Sequence, residues 1–191
     1  SVSLVGWKLT RGVKFTFPNV VIPPGGYVVV AADPATLRTK HPTLPSGVPV
    51  VGPWQGILSN SGNELRLEDA IGQEVDTVHY ADEGDWGYRK RGPVDLNHRG
   101  WLWVSDADGL GKSIELINPA LPNAHGQNWR ASVPVGGTPG VGNSVASTNV
   151  PPLILDVRHF PVLPHGSDPV TVTARLLDEA GTSGLTVILR H

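Results

Sequence analysis

The run GILSNSGNELRLEDAIGQEVDTVHY, residues 56–80, decides the fold. Leu65 and Leu67 alternate with Glu64, Arg66 and Glu68, a period of two that turns one face to a core and the other to water. Asp69 to Gly72 supplies turn chemistry, and Glu74 to Tyr80 returns as the partner strand. The Ser59-Asn60-Ser61-Gly62-Asn63 cluster turns the chain beforehand. The stretch therefore predicts an antiparallel hairpin.

Working outward, the same grammar recurs. VSLVGWKL (2–9) reads as a strand with a bulge at Gly6. FTFPNVVIPPGGYVVVAAD (15–33) reads as a strand, a Pro-Pro-Gly-Gly turn and a buried strand from Tyr27 to Ala32. Asp33 can cap a helix and Pro34 suits its first position, while Pro42 holds it to about two turns. Residues 85–109, DWGYRKRGPVDLNHRGWLWVSDADG, read as a long polar excursion bearing three tryptophans. Many short strands punctuated by glycine and proline, with one short helix, describe an all-β sandwich.

DGLGKSIEL (108–116) contains Gly-Lys-Ser, the tail of a phosphate-binding loop. The loop's first glycine would fall at position 106, which is Asp106, a carboxylate facing the phosphates. The residues that follow, Ser113 to Ile117, alternate as a strand where the motif needs a helix. No nucleotide is expected. The string instead predicts a Gly-rich turn into a strand, with Ile114 and Leu116 toward the core, Ser113 and Glu115 outward, and Lys112 solvated.

Composition narrows the function classes. The chain has 191 residues, 23 glycines, 18 prolines, no cysteine and no methionine. Without cysteine there is no disulfide, thiolate metal site or cysteine nucleophile. The absence of any methionine suggests a processed chain or an excised piece. No apolar run approaches the ~18 residues a membrane helix needs, so membrane insertion is not expected. Net charge is −2 and pI about 6.4. A nucleic-acid-binding domain is usually far more basic, so nucleic acid is disfavoured as a partner.

Chemistry-bearing clusters are few. Asp82, Glu83, Asp85, Asp106 and Asp108 could in principle surround a hard cation, but they do not match a calcium loop and read as solvated turns. The seven histidines form no H-x-H or H-x-x-x-H pair, and no G-x-S-x-G elbow is present. The reading is therefore no catalytic residues, no metal and no cofactor. Arg89, Lys90, Arg91, His98 and Arg99 make one basic cluster beside Trp101 and Trp103, either a solvated loop tip or an anion-binding and stacking platform. Trp101 and Trp103 are two apart and share a face on a strand. Were Leu102 and Val104 buried, both rings would form an outward aromatic strip suited to sugars or partner proteins. Otherwise the rings cover a sandwich end, which is the favoured reading because large exposed aromatics are uncommon without a function.

The ordered set Gly6-Trp7-Lys8-Leu9, Ile22-Pro23-Pro24-Gly25-Gly26-Tyr27-Val28-Val29-Val30, Leu58-Ser59-Asn60-Ser61-Gly62, Leu65-Arg66-Leu67 and Asp76-Thr77-Val78-His79-Tyr80 resembles a lamin tail domain. Asp108 to Leu116, Asn128-Trp129 and Gly137-Thr138-Pro139-Gly140 extend the resemblance to about residue 145. It implies an immunoglobulin-like β-sandwich without catalytic residues, with Trp7 and Trp129 in its core. In bacterial secreted and surface proteins such a domain is an accessory module with binding or adhesive roles. The nuclear lamin form binds chromatin-associated partners, but this chain lacks the coiled-coil rod and basic targeting run of a lamin. The insertion 85–105 departs from the family pattern.

Three divisions are expected: a lamin-tail-like sandwich over 1–145, a linker over 146–152 within SVASTNVPP, and partial immunoglobulin-like strands over 153–191. The strand patterns of the last are Leu153 to Val157, Val170 to Leu176, and Leu185, Val187 and Leu189, with a turn at Asp178 to Gly181. The expected function is a non-catalytic binding, adhesion or structural module of a larger secreted or cell-envelope protein. The alternative is a carbohydrate-binding module using the insertion's tryptophans. Partners would be other domains of that protein, or a surface protein or polysaccharide met through Trp101, Trp103, Arg89, Arg91 and Arg99.

Overall fold

The computed structural model describes residues 1–186 and 188. The first expected strand is two: β1 (Val2–Ser3) and β2 (Lys8–Arg11). Gly6 at φ 77° turns the backbone between them, and the Trp7 amide donates to the Leu4 carbonyl at 3.0 Å. β3 (Val13–Thr16) returns beside β2, and β4 (Val21–Ile22) pairs with β1. The Pro-Pro-Gly-Gly turn closes as expected, with the Gly26 amide on the Pro23 carbonyl at 2.9 Å. The strand after it is shorter than expected: β5 is only Val29–Val30, paired in parallel with β6 (Val50–Val51). Between them α1 (Pro34–Lys40) starts on Asp33, whose carboxylate accepts from the Ala35 and Thr36 amides at 3.0 Å each.

β7 (Gln55–Gly56), β8 (Gly62–Glu68) and β9 (Glu74–Ala81) complete a five-stranded sheet of order β7-β3-β2-β8-β9. β8 and β9 are the antiparallel hairpin that the alternation predicts, with Leu65 opposite Val78 and Leu67 opposite Asp76. Leu67 packs on a core of Leu4, Phe17 and Val20, joined by Trp7, Phe15 and Val30. The in-and-out contrast is weaker than the sequence suggests, since every β8 residue is half-buried. The outward face is partly covered by its own ion pairs, Arg66 to Glu64 at 2.7 Å and to Glu74 at 3.2 Å.

After β9 the chain builds three more antiparallel pairs. β10 (Tyr88–Asp95) pairs with β11 (His98–Val104), and β12 (Ile114–Leu116) with β13 (Trp129–Ala131). β14 (Leu153–Phe160) pairs with β15 (Thr171–Leu177). Gly109 at φ 71° and Gly111 at φ 73° make the turn into β12, so DGLGKSIEL runs from a glycine turn into a strand. The expected parity of that strand is reversed: Glu115 is buried at 4% exposure, and Ile114 and Leu116 are only half-buried.

A second core joins Ile117 and Leu121 to Val150, Leu153 and Leu155, with Val145 and Leu177 packed against it. The C-terminal hairpin is thereby fastened to the rest of the chain. Gln127 clasps the Ile154 backbone from both sides, its Nε2 donating to the carbonyl at 2.8 Å and its Oε1 accepting the amide at 2.9 Å. The segment expected as a linker also lies against the fold, with the Ser147 amide on the Ile117 carbonyl at 3.1 Å. Of the third expected C-terminal strand, Val187 and Leu189 lie outside the described residues, and Leu185 is in no strand. The described residues here form one hairpin, where an immunoglobulin-like module takes about seven strands.

Candidate functional site

The insertion 85–105, read from the sequence as a long polar excursion, folds as the β10–β11 hairpin. Its reversal is two residues long, Leu96 at φ 46° and Asn97 at φ 63°, the all-positive pair that matches the twist of flanking strands. Asn tolerates that region; Leu96 is the unusual member. At the base Gly87 admits no side chain, because a Cβ would come 2.8 Å from the Asp82 carbonyl oxygen. Midway, the register shifts between Arg91 and Val94, where Gly92 and Pro93 form a bulge. Proline is tolerated there because a bulged residue owes the ladder no N–H.

This register brings all five expected site residues onto one face. Arg89 stands opposite Trp103, Arg91 opposite Trp101, and Arg99 lies two residues before Trp101, opposite Val94. The guanidinium of Arg91 lies 4.2 Å from the centre of the Trp101 ring. Arg89 lies over both rings, 5.3 Å from Trp101 and 5.6 Å from Trp103. These are cation–π distances, and the interlocked order Arg91, Trp101, Arg89, Trp103 holds long side chains that would otherwise sample many rotamers. Lys90, on the opposite face, sits 5.6 Å from the Tyr88 ring. Among the described residues no carboxylate comes within 4.0 Å of Arg89, Lys90, Arg91 or Arg99.

The favoured burial of these tryptophans is corrected. Trp101 is 52% and Trp103 41% exposed, and Leu102 between them is 53% exposed. Neither face of the hairpin is packed into a core at that level. Arginine guanidinium groups lie over the exposed rings instead, a partial shielding that hydrophobicity alone does not anticipate.

Two open clefts flank the hairpin's base. One, of about 200 Å³, is lined by Trp86, Tyr88, Val104, Ile114 and Trp129 among others. The Trp86 and Trp129 rings meet there at 5.6 Å, and Trp129 donates its indole N–H to the Asn123 carbonyl at 2.8 Å. Trp7 and Trp129 are both half-buried. The other cleft, of about 370 Å³, has an apolar floor of Leu58, Leu65, Tyr80 and Ile114 and a rim bearing Asp82, Asp108 and Lys112. Burial pushes the Tyr80 hydroxyl up, keeping it neutral while it donates to the Ser59 carbonyl at 2.7 Å. Lys112 is thus half-buried at a cleft rim rather than fully solvated.

The acidic residues are distributed differently from a cation site. Asp85 accepts from Gln127 at 3.1 Å, and Asp106 meets the Tyr88 hydroxyl at 3.4 Å. Among the described residues no three histidine or carboxylate side chains gather. The buried acid is Glu115, which sequence reasoning placed outside. Its Oε1 accepts from Thr138 Oγ1 at 2.6 Å, and its Oε2 from the Ser144 amide and hydroxyl at 2.7 Å each. Burial alone would push this carboxyl up, but the hydrogen bonds from Thr138 and Ser144 outweigh it and hold the group below its ordinary value. Glu115 therefore ties β12 to the chain that leaves the sandwich.

The class these features define is an all-β module of immunoglobulin-like type, with a projecting cationic and aromatic hairpin. Within that class, residues 1–82 match the model of the Lamin Tail Domain family, so the resemblance drawn from the motifs holds over that stretch. This is an immunoglobulin-like, non-enzymatic domain family, in keeping with an accessory module. The match ends just before the insertion that carries the exposed tryptophans. No curated protein and no solved structure matches the chain significantly.

Proposed function

We propose that this chain is a non-catalytic binding or adhesion module of a larger secreted or cell-envelope protein of bacterial type, and that the β10–β11 hairpin is its contact surface. One observation carries the reading: Trp101 and Trp103 stand in solvent, each with arginine over it. Exposing two large aromatic rings costs hydration free energy, and a partner that covers them recovers it. Trp and Arg are also the side chains that most often dominate binding surfaces. Loops and hairpins on a rigid β scaffold are a common way to present such groups.

A second reading, a carbohydrate-binding module, has support of its own, since Trp101 and Trp103 of the insertion are exposed on one face. Polysaccharide is then one of the partners that the first reading allows.

The test is co-sedimentation of the purified chain with isolated cell-envelope material. Wild type is expected to pellet, and the Trp101→Ser/Trp103→Ser double variant to lose roughly tenfold in affinity, as removal of central anchors does. Equal retention of the two proteins would sink the hairpin as the contact surface. A panel of hydrolase substrates, with and without Ca²⁺ or Zn²⁺, is expected to show no turnover; turnover above the blank would contradict the non-catalytic reading.

A further inference from the structure

We infer that the hairpin face takes an anionic polysaccharide, one bearing carboxylate or sulfate groups, rather than a neutral glycan. The inference rests on the binding reading above and names the ligand class. Residues 88–104 carry Arg89, Lys90, Arg91 and Arg99 against Asp95 alone, a net +3. The whole chain has net charge −2, so the remaining residues carry −5. The positive potential is thus concentrated on one projecting element of an otherwise acidic molecule, where it attracts polyanions and orients them.

Geometry then separates anionic from neutral sugars. A neutral pyranose needs an open indole face to stack on. Here Trp101 has guanidinium groups over it from both Arg91 and Arg89, and Arg89 also lies over Trp103. What the ladder offers is held guanidinium groups, whose planar forks match carboxylate and sulfate oxygens. The rings fix the cations in advance, lowering the entropy lost on binding. Arg99 extends the row along the same face. None of these cations has a carboxylate within 4.0 Å among the described residues, so an incoming anion displaces no internal ion pair there.

Nucleic acid fits less well. Single-strand binders stack bases on open aromatic faces within a basic groove. The rings here are already engaged by arginine, the basic area is a single hairpin, and the surrounding −5 opposes a long, dense polyphosphate. A polysaccharide of lower charge density tolerates that surround.

The experiment is biolayer interferometry on the intact chain with immobilised heparin, polygalacturonate, dextran and an oligothymidylate, at about 50 mM and about 200 mM salt. Binding to heparin or polygalacturonate that weakens with salt is expected, with none to dextran. Arg89→Gln/Arg91→Gln should weaken it by roughly tenfold or more, and Arg89→Lys/Arg91→Lys should also weaken it, since lysine keeps the charge without the fork. Asp95→Asn, which removes the hairpin's one acid, should strengthen it, a gain that misfolding cannot mimic. The inference is overturned if dextran binds as well as the polyanions. Unchanged affinity in Arg89→Gln/Arg91→Gln, or a tighter hold on the oligothymidylate than on either polysaccharide, would overturn it too. Failure to bind either polyanion also defeats it, while retention on envelope material through Trp101 and Trp103 would leave the broader binding reading standing.

Discussion

Glu115 shows how a single carboxylate can serve as a clasp. Its three donors come from Thr138 and Ser144, 23 and 29 residues further along. Removing the acceptor leaves those donors short of a partner, so Glu115→Ala is expected to cost about 1–3 kcal/mol of stability in urea unfolding. The pH dependence follows from the direction of its shift. A carboxyl held below its ordinary value stabilises the fold fully above about pH 4.3, and that contribution is lost as pH falls through the lower, folded value. Glu115→Gln should therefore lose less stability than wild type between neutral and strongly acid pH. Identical acid limbs would contradict the clasp. Sequence alternation set Glu115 outward because a carboxylate is assumed to prefer water; partners so distant in sequence leave no local trace. Gly126 is a second residue-scale test. A Cβ there would lie 2.5 Å from the Asp85 carbonyl, where the short 3-10 turns Gly84–Trp86 and Gly126–Asn128 meet, so Gly126→Ala is expected to destabilise by about 1–3 kcal/mol, read from its urea midpoint.

Two hairpins of similar length differed greatly in legibility. The β8–β9 pair is readable because its alternation is uninterrupted and Asp69 announces the turn, accepting from the Ile71 and Gln73 amides. The β10–β11 pair hides because Gly92-Pro93 breaks the period of two and Leu96 occupies a turn position that usually goes to Asn, Asp or Gly. What remained visible was its composition, and that sufficed to name Arg89, Arg91, Arg99, Trp101 and Trp103 without the register that unites them. Leu96 sits at positive φ, so replacing Leu96-Asn97 by Asn-Gly should stabilise the hairpin by roughly 0.5–1 kcal/mol. Slower hydrogen exchange at the ladder amides of Lys90, His98 and Leu102 would register this. Unchanged or faster exchange would contradict the turn assignment.

Across the whole molecule, the sequence made the all-β class plain through its many short alternating runs and frequent glycine and proline. It did not show how the C-terminal hairpin meets the sandwich, because Leu153 and Leu155 look like the inward face of any strand. They complete a core begun by Ile117 and Leu121. Leu153 is 1% exposed, so Leu153→Ala is expected to cost about 2–5 kcal/mol, measured by thermal or urea unfolding. The shared core also predicts one calorimetric transition for sandwich and hairpin together, and two resolved transitions would separate them. The net effect is a rigid, mildly acidic base from which one cationic element projects.

The central claim is that Arg89 and Arg91 are held over Trp101 and Trp103 on a solvent-exposed hairpin, ready to meet a partner. Solution NMR of the intact chain tests it most directly. The account predicts ring-current upfield shifts for the Arg89 and Arg91 side-chain protons and nuclear Overhauser contacts from Arg91 to the Trp101 indole. Arginine side-chain shifts at random-coil values, with no contact to either indole, would contradict it.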